Sequence, residues 1–288
     1  MKKAFSLIEL SVVILIIGIL IGGITQGSQI VSQMRLSAAR SISQSGPVSS
    51  IKDLTLWLDS TSEESFVELE ASDGGSLSYW YDVNPTARIK KTFVGSYTKP
   101  KYMSKAINNL PAVDFDGSSQ YFEISYDDEL NPNNFTIFVT FIVDNVPASS
   151  YTALISNRAP LAGYILYART FGANAFDFAY GSGSAWVNGI DYVPSIPTDK
   201  TKIISLVYNG TNGTIYTDGI FRDSDVTIFA RNISTPLRIG AGANENPTAN
   251  YFFNGKIGEI IIFSRALKNE ERKDVEKYLG QKWGVKVS

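Results

Sequence analysis

The 288-residue chain contains no cysteine and no histidine. That removes disulfides, thiolate and imidazole metal sites, cysteine nucleophiles and serine–histidine triads. Any chemistry must come from carboxylates, Tyr, Lys, Ser or Thr. Two carboxylate pairs have the i, i+2 spacing that puts both side chains on one face of a strand: Glu68/Glu70 and Asp114/Asp116. A retaining glycosidase needs two carboxyl groups about 5 Å apart. Asp114-Phe-Asp116-Gly117 reads better as a strand end running into a turn, and the expectation is a protein that is not an enzyme. Binding is the stronger theme. Tyr151, Tyr164, Tyr167, Tyr180, Trp186 and Tyr192 crowd the middle of the chain. Aromatic rings at this density fill a core at alternate positions, and those left outside can stack on sugar faces. The glycan-binding candidates are Trp186, Tyr180 and Tyr192, with residues 173–189 and their Gly-Ser-Gly-Ser segment read as a loop presenting Trp186. No cofactor is evident. Oxygen ligands are plentiful enough for calcium, with Asp116, Asp127, Asp128 and Glu129 as candidates, although an Asp-Asp-Glu run also suits a solvated loop. A net charge of −2 argues against a nucleic-acid partner.

Positioning these residues needs two different kinds of element. Every aromatic residue except Phe5 lies at or beyond Trp57. The opening instead runs from Ala4 to Ile24 with only Ser6, Glu9 and Ser11 polar. Such a run, as a helix, spans about 31 Å, roughly the hydrocarbon thickness of a bilayer. Lys2 and Lys3 precede it, which leaves the N-terminus cytoplasmic and the rest of the chain exported. No small-residue signal-peptidase site follows closely. Glu9 is the anomaly, because a carboxylate within an apolar helix is costly without a specific partner. Beyond Ile24 the spacing of Ile30, Val31, Met34, Ala38 and Ile42 continues an amphipathic helix, and Gly46-Pro47 stops it.

Lys2-Lys3-Ala4-Phe5-Ser6-Leu7-Ile8-Glu9-Leu10 closely resembles the cleavage and methylation segment of type IV prepilins and type II secretion pseudopilins. The resemblance implies that a membrane peptidase cuts between Ala4 and Phe5 and that Phe5 becomes an N-methylated first residue. It matches Glu9 to the glutamate that guides filament assembly, where the amino terminus of a neighbouring subunit supplies a cation. This chain has Ala4 where the family usually has Gly, and it lacks the helix proline of many major pilins.

From Leu54 the pattern changes to short runs rich in β-branched and aromatic residues, at 54–58, 112–116, 135–143, 202–208, 213–217, 237–240 and 256–263. Thr217-Asp218-Gly219-Ile220 is a two-residue hairpin signal. A final amphipathic helix puts Val275, Tyr278, Leu279 and Trp283 on one face and is expected to cover a sheet edge or seam. The ordered series Leu56-Trp-Leu-Asp59, Ser78-Tyr-Trp-Tyr-Asp82, Ile107 to Tyr121, Leu237-Arg-Ile-Gly240, Phe253 to Leu267 and Val275 to Gly284 resembles a bacterial laminin-G-like domain. The fold it implies is a concanavalin A-like jelly roll, and neither carboxylate pair sits in the Glu-x-Asp-x-x-Glu arrangement of the hydrolases with that fold.

The expected protein is therefore mainly β: an antiparallel β-sandwich with a long N-terminal transmembrane α-helix and a short C-terminal helix. Residues 1–4 are a leader, 5–45 the pilin helix, 46–53 a linker and 54–288 the jelly roll. The expected function is that of a minor pilin-like subunit in the bacterial inner membrane, its outer domain periplasmic or on a pilus and binding a glycan or surface protein. Its expected partners are a prepilin peptidase, other pilin or pseudopilin subunits and the membrane. A type II secretion pseudopilin and a membrane-anchored carbohydrate-active enzyme are the alternatives.

Overall fold

The computed structural model describes residues 7–144, 151–169, 176–192, 197–226, 228–244 and 248–288. One helix, α1 (Leu7–Ser45), runs for 39 residues through the apolar opening and the amphipathic stretch. Gly46-Pro47 ends it. A Cβ on Gly46 would lie 2.7 Å from the Tyr278 ring, so glycine is needed where the chain turns off the helix against that ring. Ala4 and Phe5 lie outside the described residues, as do the side chains of Glu9, residues 18–26 and residue 28. Among the described residues no helix is long and apolar enough to cross a membrane, and the transmembrane role of 5–45 rests on sequence.

The remaining chain forms β1 (Leu54–Asp59), β2 (Tyr79–Tyr81), β3 (Thr92–Gly95), β4 (Lys101–Ile107), β5 (Leu110–Asp116), β6 (Phe122–Ile124), β7 (Phe135–Val143), β8 (Thr152–Ser156) and β9 (Tyr164–Arg169). It continues through β10 (Phe176–Gly181), β11 (Trp186–Tyr192), β12 (Lys202–Tyr208), β13 (Asn212–Thr217), β14 (Ile220–Val226), β15 (Leu237–Ile239), β16 (Gly242–Ala243), β17 (Ala249–Asn250) and β18 (Asn254–Phe263), and closes with α2 (Asn269–Trp283). Two eight-stranded antiparallel sheets face each other. The first has the order β14-β13-β12-β7-β18-β5-β4, with β1 also paired to β18, and the second β11-β10-β9-β8-β15-β6-β3-β2. Strand β18 holds the first sheet together. One side pairs with β7 along most of its length, while the other is shared by β5 at its start and β1 at its end. In the β13–β14 hairpin Asp218 and Gly219 both have positive φ, 51° and 78°, the type I′ geometry that matches strand twist.

The inward rows of both sheets interdigitate into one core that includes Trp80, Phe93, Phe115, Phe122, Phe178 and Phe253, each at most 1% exposed. Central strands of the first sheet are apolar on both faces, and the outward row holds Phe138, Ile203, Ile261 and Phe263. Val275, Tyr278, Leu279 and Trp283 of α2 pack on that row, and Ala39 of α1 joins the same cluster. The C-terminal helix therefore covers a sheet face rather than the edge or seam expected. The reason is that β7, β12 and β18 carry continuous apolar runs, whose outer side would otherwise meet water. Arg272 and Glu276 of α2 are buried with it, Glu276 accepting from Ser205 Oγ at 2.8 Å and from Arg272.

Candidate ligand-binding face

The first sheet is roofed by helices, and the outer face of the second carries aromatic residues that stay partly exposed at its two ends. Its register can be followed across all the strands. Tyr79, Val94, Glu123, Arg238, Ser156, Ile165, Ala179 and Asn188 are successive cross-strand partners. Near β2 the row is aromatic and exposed: Tyr79 and Tyr81 lie with ring centroids 5.7 Å apart beside the half-exposed Val94. In the middle Arg238 donates to Glu123 at 2.9 Å.

Towards β11 the face carries a small apolar cluster of Ala153, Ile165, Tyr167 and Ala179, with Tyr151, Trp186 and Tyr251 partly exposed against it. The β16–β17 hairpin lies over this cluster, and Gly242 fits closely, since a Cβ there would meet Ala153, Tyr251 and Ile165 at 3.2–3.3 Å. Tyr151, Tyr167 and Tyr251 form a triangle of rings with centroids 5.3–5.9 Å apart. Burial pushes the Tyr167 phenol far above its usual range, so its hydroxyl keeps its proton. The Arg158 guanidinium carbon stands 3.9 Å from the centre of the Trp186 ring, and its Nη1 donates to the Ala243 carbonyl at 3.0 Å. An indole stacked under a guanidinium, beside tyrosines and the exposed Asn188, places a partly exposed aromatic side chain next to hydrogen-bonding groups.

The three aromatic candidates do not come together here. Trp186 opens β11 opposite Gly181, so it sits on a strand and not on the loop expected over 173–189; residues 173–175 lie outside the described residues. The strand forms because Trp186 to Tyr192 pair with β10, with a bulge at Phe178/Ala179. Tyr180 points inward. It follows Phe176 and Phe178 at the strand period of two and stacks on Phe178 with centroids 6.1 Å apart, 7% exposed. Tyr192 pairs through its backbone with Phe176, and its side chain lies outside the described residues. Arg158 and Tyr251, which complete the patch around Trp186, carry no sequence signal beyond residue type. They arrive from β8–β9 and β17–β18 connections far from β11 in the chain.

The acidic candidates are engaged elsewhere. Asp116 ends β5 and accepts from the backbone N–H of Ser118, Ser119 and Gln120 at 2.9–3.0 Å and from both serine hydroxyls at 2.8 and 2.9 Å. Partial burial alone would raise this carboxyl, but the hydrogen bonds outweigh it and hold it far below the usual range. Asp127 and Glu129 both bind Lys91 Nζ, at 2.6 and 2.7 Å, while Asp128 pairs with Arg231 and accepts from Tyr126 at 2.9 Å. Among the described residues no group of three or more acidic side chains is arranged to hold a metal ion. Of the carboxylate pairs, Glu70 accepts from the Ser78 backbone within a turn region, and Asp114 meets Lys256 at 3.3 Å.

Comparison with known proteins agrees with this architecture. Residues 116–271 match the family model described as the concanavalin A-like lectin/glucanases superfamily, and residues 1–25 match that of the prokaryotic N-terminal methylation motif. Among curated proteins none matches the chain. Of solved structures, domain 4 of AbnA, a GH43 extracellular arabinanase from Geobacillus stearothermophilus in complex with arabinotriose, is similar at 16% identity and TM-score 0.52. The match covers 78% of this chain and 98% of that one. The binding domain of Paraclostridial Mosquitocidal Protein 1 is similar at 14% identity and TM-score 0.57, over 81% of this chain and 55% of the other. The receptor binding domain of botulinum neurotoxin C/D mosaic serotype gives 12% identity and TM-score 0.56, over 81% and 54%. At these identities the likeness is one of fold. The chain belongs to the concanavalin A-like lectin/glucanases superfamily, and it carries a prokaryotic N-terminal methylation motif ahead of that domain.

Proposed function

We propose that this protein is a minor type IV pilin-like subunit that displays a glycan-binding sandwich. Helix α1 enters the inner membrane with its N-terminus cytoplasmic. A prepilin peptidase cuts between Ala4 and Phe5, methylates Phe5, and Glu9 then guides the helix into a filament among other pilin or pseudopilin subunits. The observation that carries this reading is the methylation motif of residues 1–25 leading into a continuous helix whose last turns are built into a lectin-like domain. A sandwich of this size suits a sparse or tip position better than a repeating one. Two features support binding rather than hydrolysis: in the carboxylate pairs Glu70 is engaged by Ser78, Asp114 by Lys256 and Asp116 by backbone donors, and the partly exposed side of the second sheet is aromatic. The arabinotriose in the arabinanase domain belongs to that protein and lends the glycan class its support.

The test is to fractionate cells that carry an active prepilin peptidase and assembly machinery. The chain should appear in sheared surface filaments, and Glu9→Ala should leave it in the membrane. A Glu9→Ala chain recovered from filaments at the wild-type level would refute the role of Glu9. In a secretion pseudopilin, the alternative reading, the chain would stay with the cell envelope while loss of the protein blocked export of a cargo.

A further inference from the structure

Asp59 and Glu259 are direct cross-strand partners on β1 and β18. Like charges opposite each other on a sheet repel, and here both are buried, 2% and 1% exposed. Lys282 of α2 comes down between them. Its Nζ lies 2.7 Å from Asp59 Oδ2 and 2.8 Å from Glu259 Oε2, with its side chain fully buried. Aromatic groups wall the site. Trp57 Nε1 and the Tyr278 hydroxyl donate to Glu259 Oε1 at 2.7 and 2.6 Å, and Trp283 Nε1 donates to Oε2 at 2.8 Å. Asp59 is held differently. Its Oδ1 accepts from the Thr61 backbone N–H and hydroxyl at 2.9 and 2.7 Å, while Oδ2 accepts from Ser43 Oγ at 2.9 Å as well as from Lys282. Ser43 Oγ in turn lies 2.8 Å from Lys282 Nζ.

We propose that Lys282 and Asp59 condense into an intramolecular amide, with Glu259 as the proton-transfer residue. The arrangement brings together an amine, a carboxyl and a second carboxyl able to take a proton. An amine and a carboxyl are fixed in contact in a buried, aromatic-walled site at the edge of a cleft, which replaces a bimolecular encounter with an oriented one. The two Thr61 donors on Oδ1 stabilise the negative oxygen that develops when Nζ attacks Cγ. Glu259, already accepting from Nζ, takes the proton that Nζ sheds as it attacks. The Nζ–Cγ bond forms and the Cγ–Oδ2 bond breaks. Ser43 first relays one proton from Nζ to Oδ2, so that a neutral amine meets a neutral carboxyl; the second proton passes to Glu259 as Nζ attacks and returns through Nζ and Ser43 to Oδ2, which leaves as water. An ammonium and a carboxylate thus become an amide and water, with no oxidant, metal or nucleotide required. The water departs into a cleft of about 570 Å³ between α1 and β1, which Asp59 and Ser43 both line.

The bond would tie α2 to β1, the first strand after α1. Tension entering the domain from a membrane or filament through α1 would then meet a covalent clasp in a chain that has no disulfide. The chemistry of the clasp is independent of the pilin reading.

The experiment is mass spectrometry of the full-length wild-type chain purified in detergent. The expected intact mass is one water below that of the processed sequence, and a protease digest should yield one branched peptide joining the Asp59 segment to the Lys282 segment. A folded protein whose digest contains Asp59 and Lys282 only in linear peptides overturns the proposal. So does a water loss mapped to a succinimide at Asp73-Gly74, Asp116-Gly117 or Asp218-Gly219. Glu259→Gln tests the proton transfer: a folded Gln variant should contain at least tenfold less branched peptide, and wild-type levels of it would remove Glu259 from the reaction.

Discussion

Replacing Glu259 with alanine should cost the protein a large part of its stability. The carboxylate accepts hydrogen bonds from Trp57, Tyr278, Lys282 and Trp283, so one side chain satisfies donors from β1 and from three positions on α2. Alanine would leave the two indole N–H groups without an acceptor in a buried interior, at about 1–3 kcal/mol for each orphaned group, while the phenol hydroxyl keeps only Ser43 Oγ at 3.2 Å. Set against this, removing one of two facing carboxylates relieves repulsion of Asp59 and recovers a desolvation cost. Burial raises the Glu259 carboxyl above its usual range despite Lys282, the mark of that cost. The net loss should be about 3–5 kcal/mol, which for a domain of this size is a fall in melting temperature on the order of 10 °C. Thermal unfolding of the full-length chain in detergent, followed by tryptophan fluorescence, measures it directly because Trp57 and Trp283 both report on the site. Glu259→Gln keeps the shape but offers one acceptor oxygen, its NH2 facing the donors of the other, and should recover less than half of the loss. An alanine variant within about 1 kcal/mol of wild type would refute the idea that this network clamps α2 and β1 together.

Three further outcomes are expected. Hydrogen bonds from Arg265, aided by the Lys268 backbone N–H, hold the Glu271 carboxyl at about 2. A depressed carboxyl contributes stability that is present above its unfolded value, about 4.3, and is lost as pH falls towards 2; Glu271→Gln should flatten the stability–pH curve in that window and leave it unchanged in slope near neutrality. Gly219→Ala should destabilise by about 1–2 kcal/mol in denaturant titration, because φ is +78° and a Cβ would lie 2.6 Å from Val287. Trp186→Ala should weaken binding on a glycan array or by calorimetry about tenfold, the effect of about 1.4 kcal/mol, whereas Tyr180→Phe, which changes only a buried residue, should leave binding as it is; equal losses in both would remove the second sheet's outer face as the binding surface.

Much of this fold is readable from local pattern. The runs at 135–143 and 202–208 are strands with those bounds, because β-branched and aromatic residues fill them and Asn or Asp flanks them. Asp218-Gly219 adopts the backbone its residue types favour, and Gly46-Pro47 ends α1 where a missing donor must. What pattern could not supply is tertiary. Tyr180 and Trp186 look alike as aromatic residues in a Gly-Ser-rich stretch, and only the register with β9 and β10 sends one inward and the other outward. Asp116 looks like a cation ligand until Ser118, Ser119 and Gln120 fold back on it. Asp59, Glu259 and Lys282 lie in three segments that carry the family resemblance, yet no spacing links them. The one local hint was a charge inside each apolar run, Asp59 closing Leu-Thr-Leu-Trp-Leu and Glu259 preceding Ile-Ile-Ile-Phe.

The central claim is that a processed pilin helix carries this lectin-like domain, and the N-terminal residue tests it most directly. N-terminal sequencing and intact mass should be determined for the chain taken from membranes with and without an active prepilin peptidase. With the peptidase, the chain should begin at N-methylated Phe5; without it, at Met1 with no methyl group. A chain that still begins at Met1 in the presence of an active peptidase would contradict the account and leave a membrane-anchored lectin-like protein in its place.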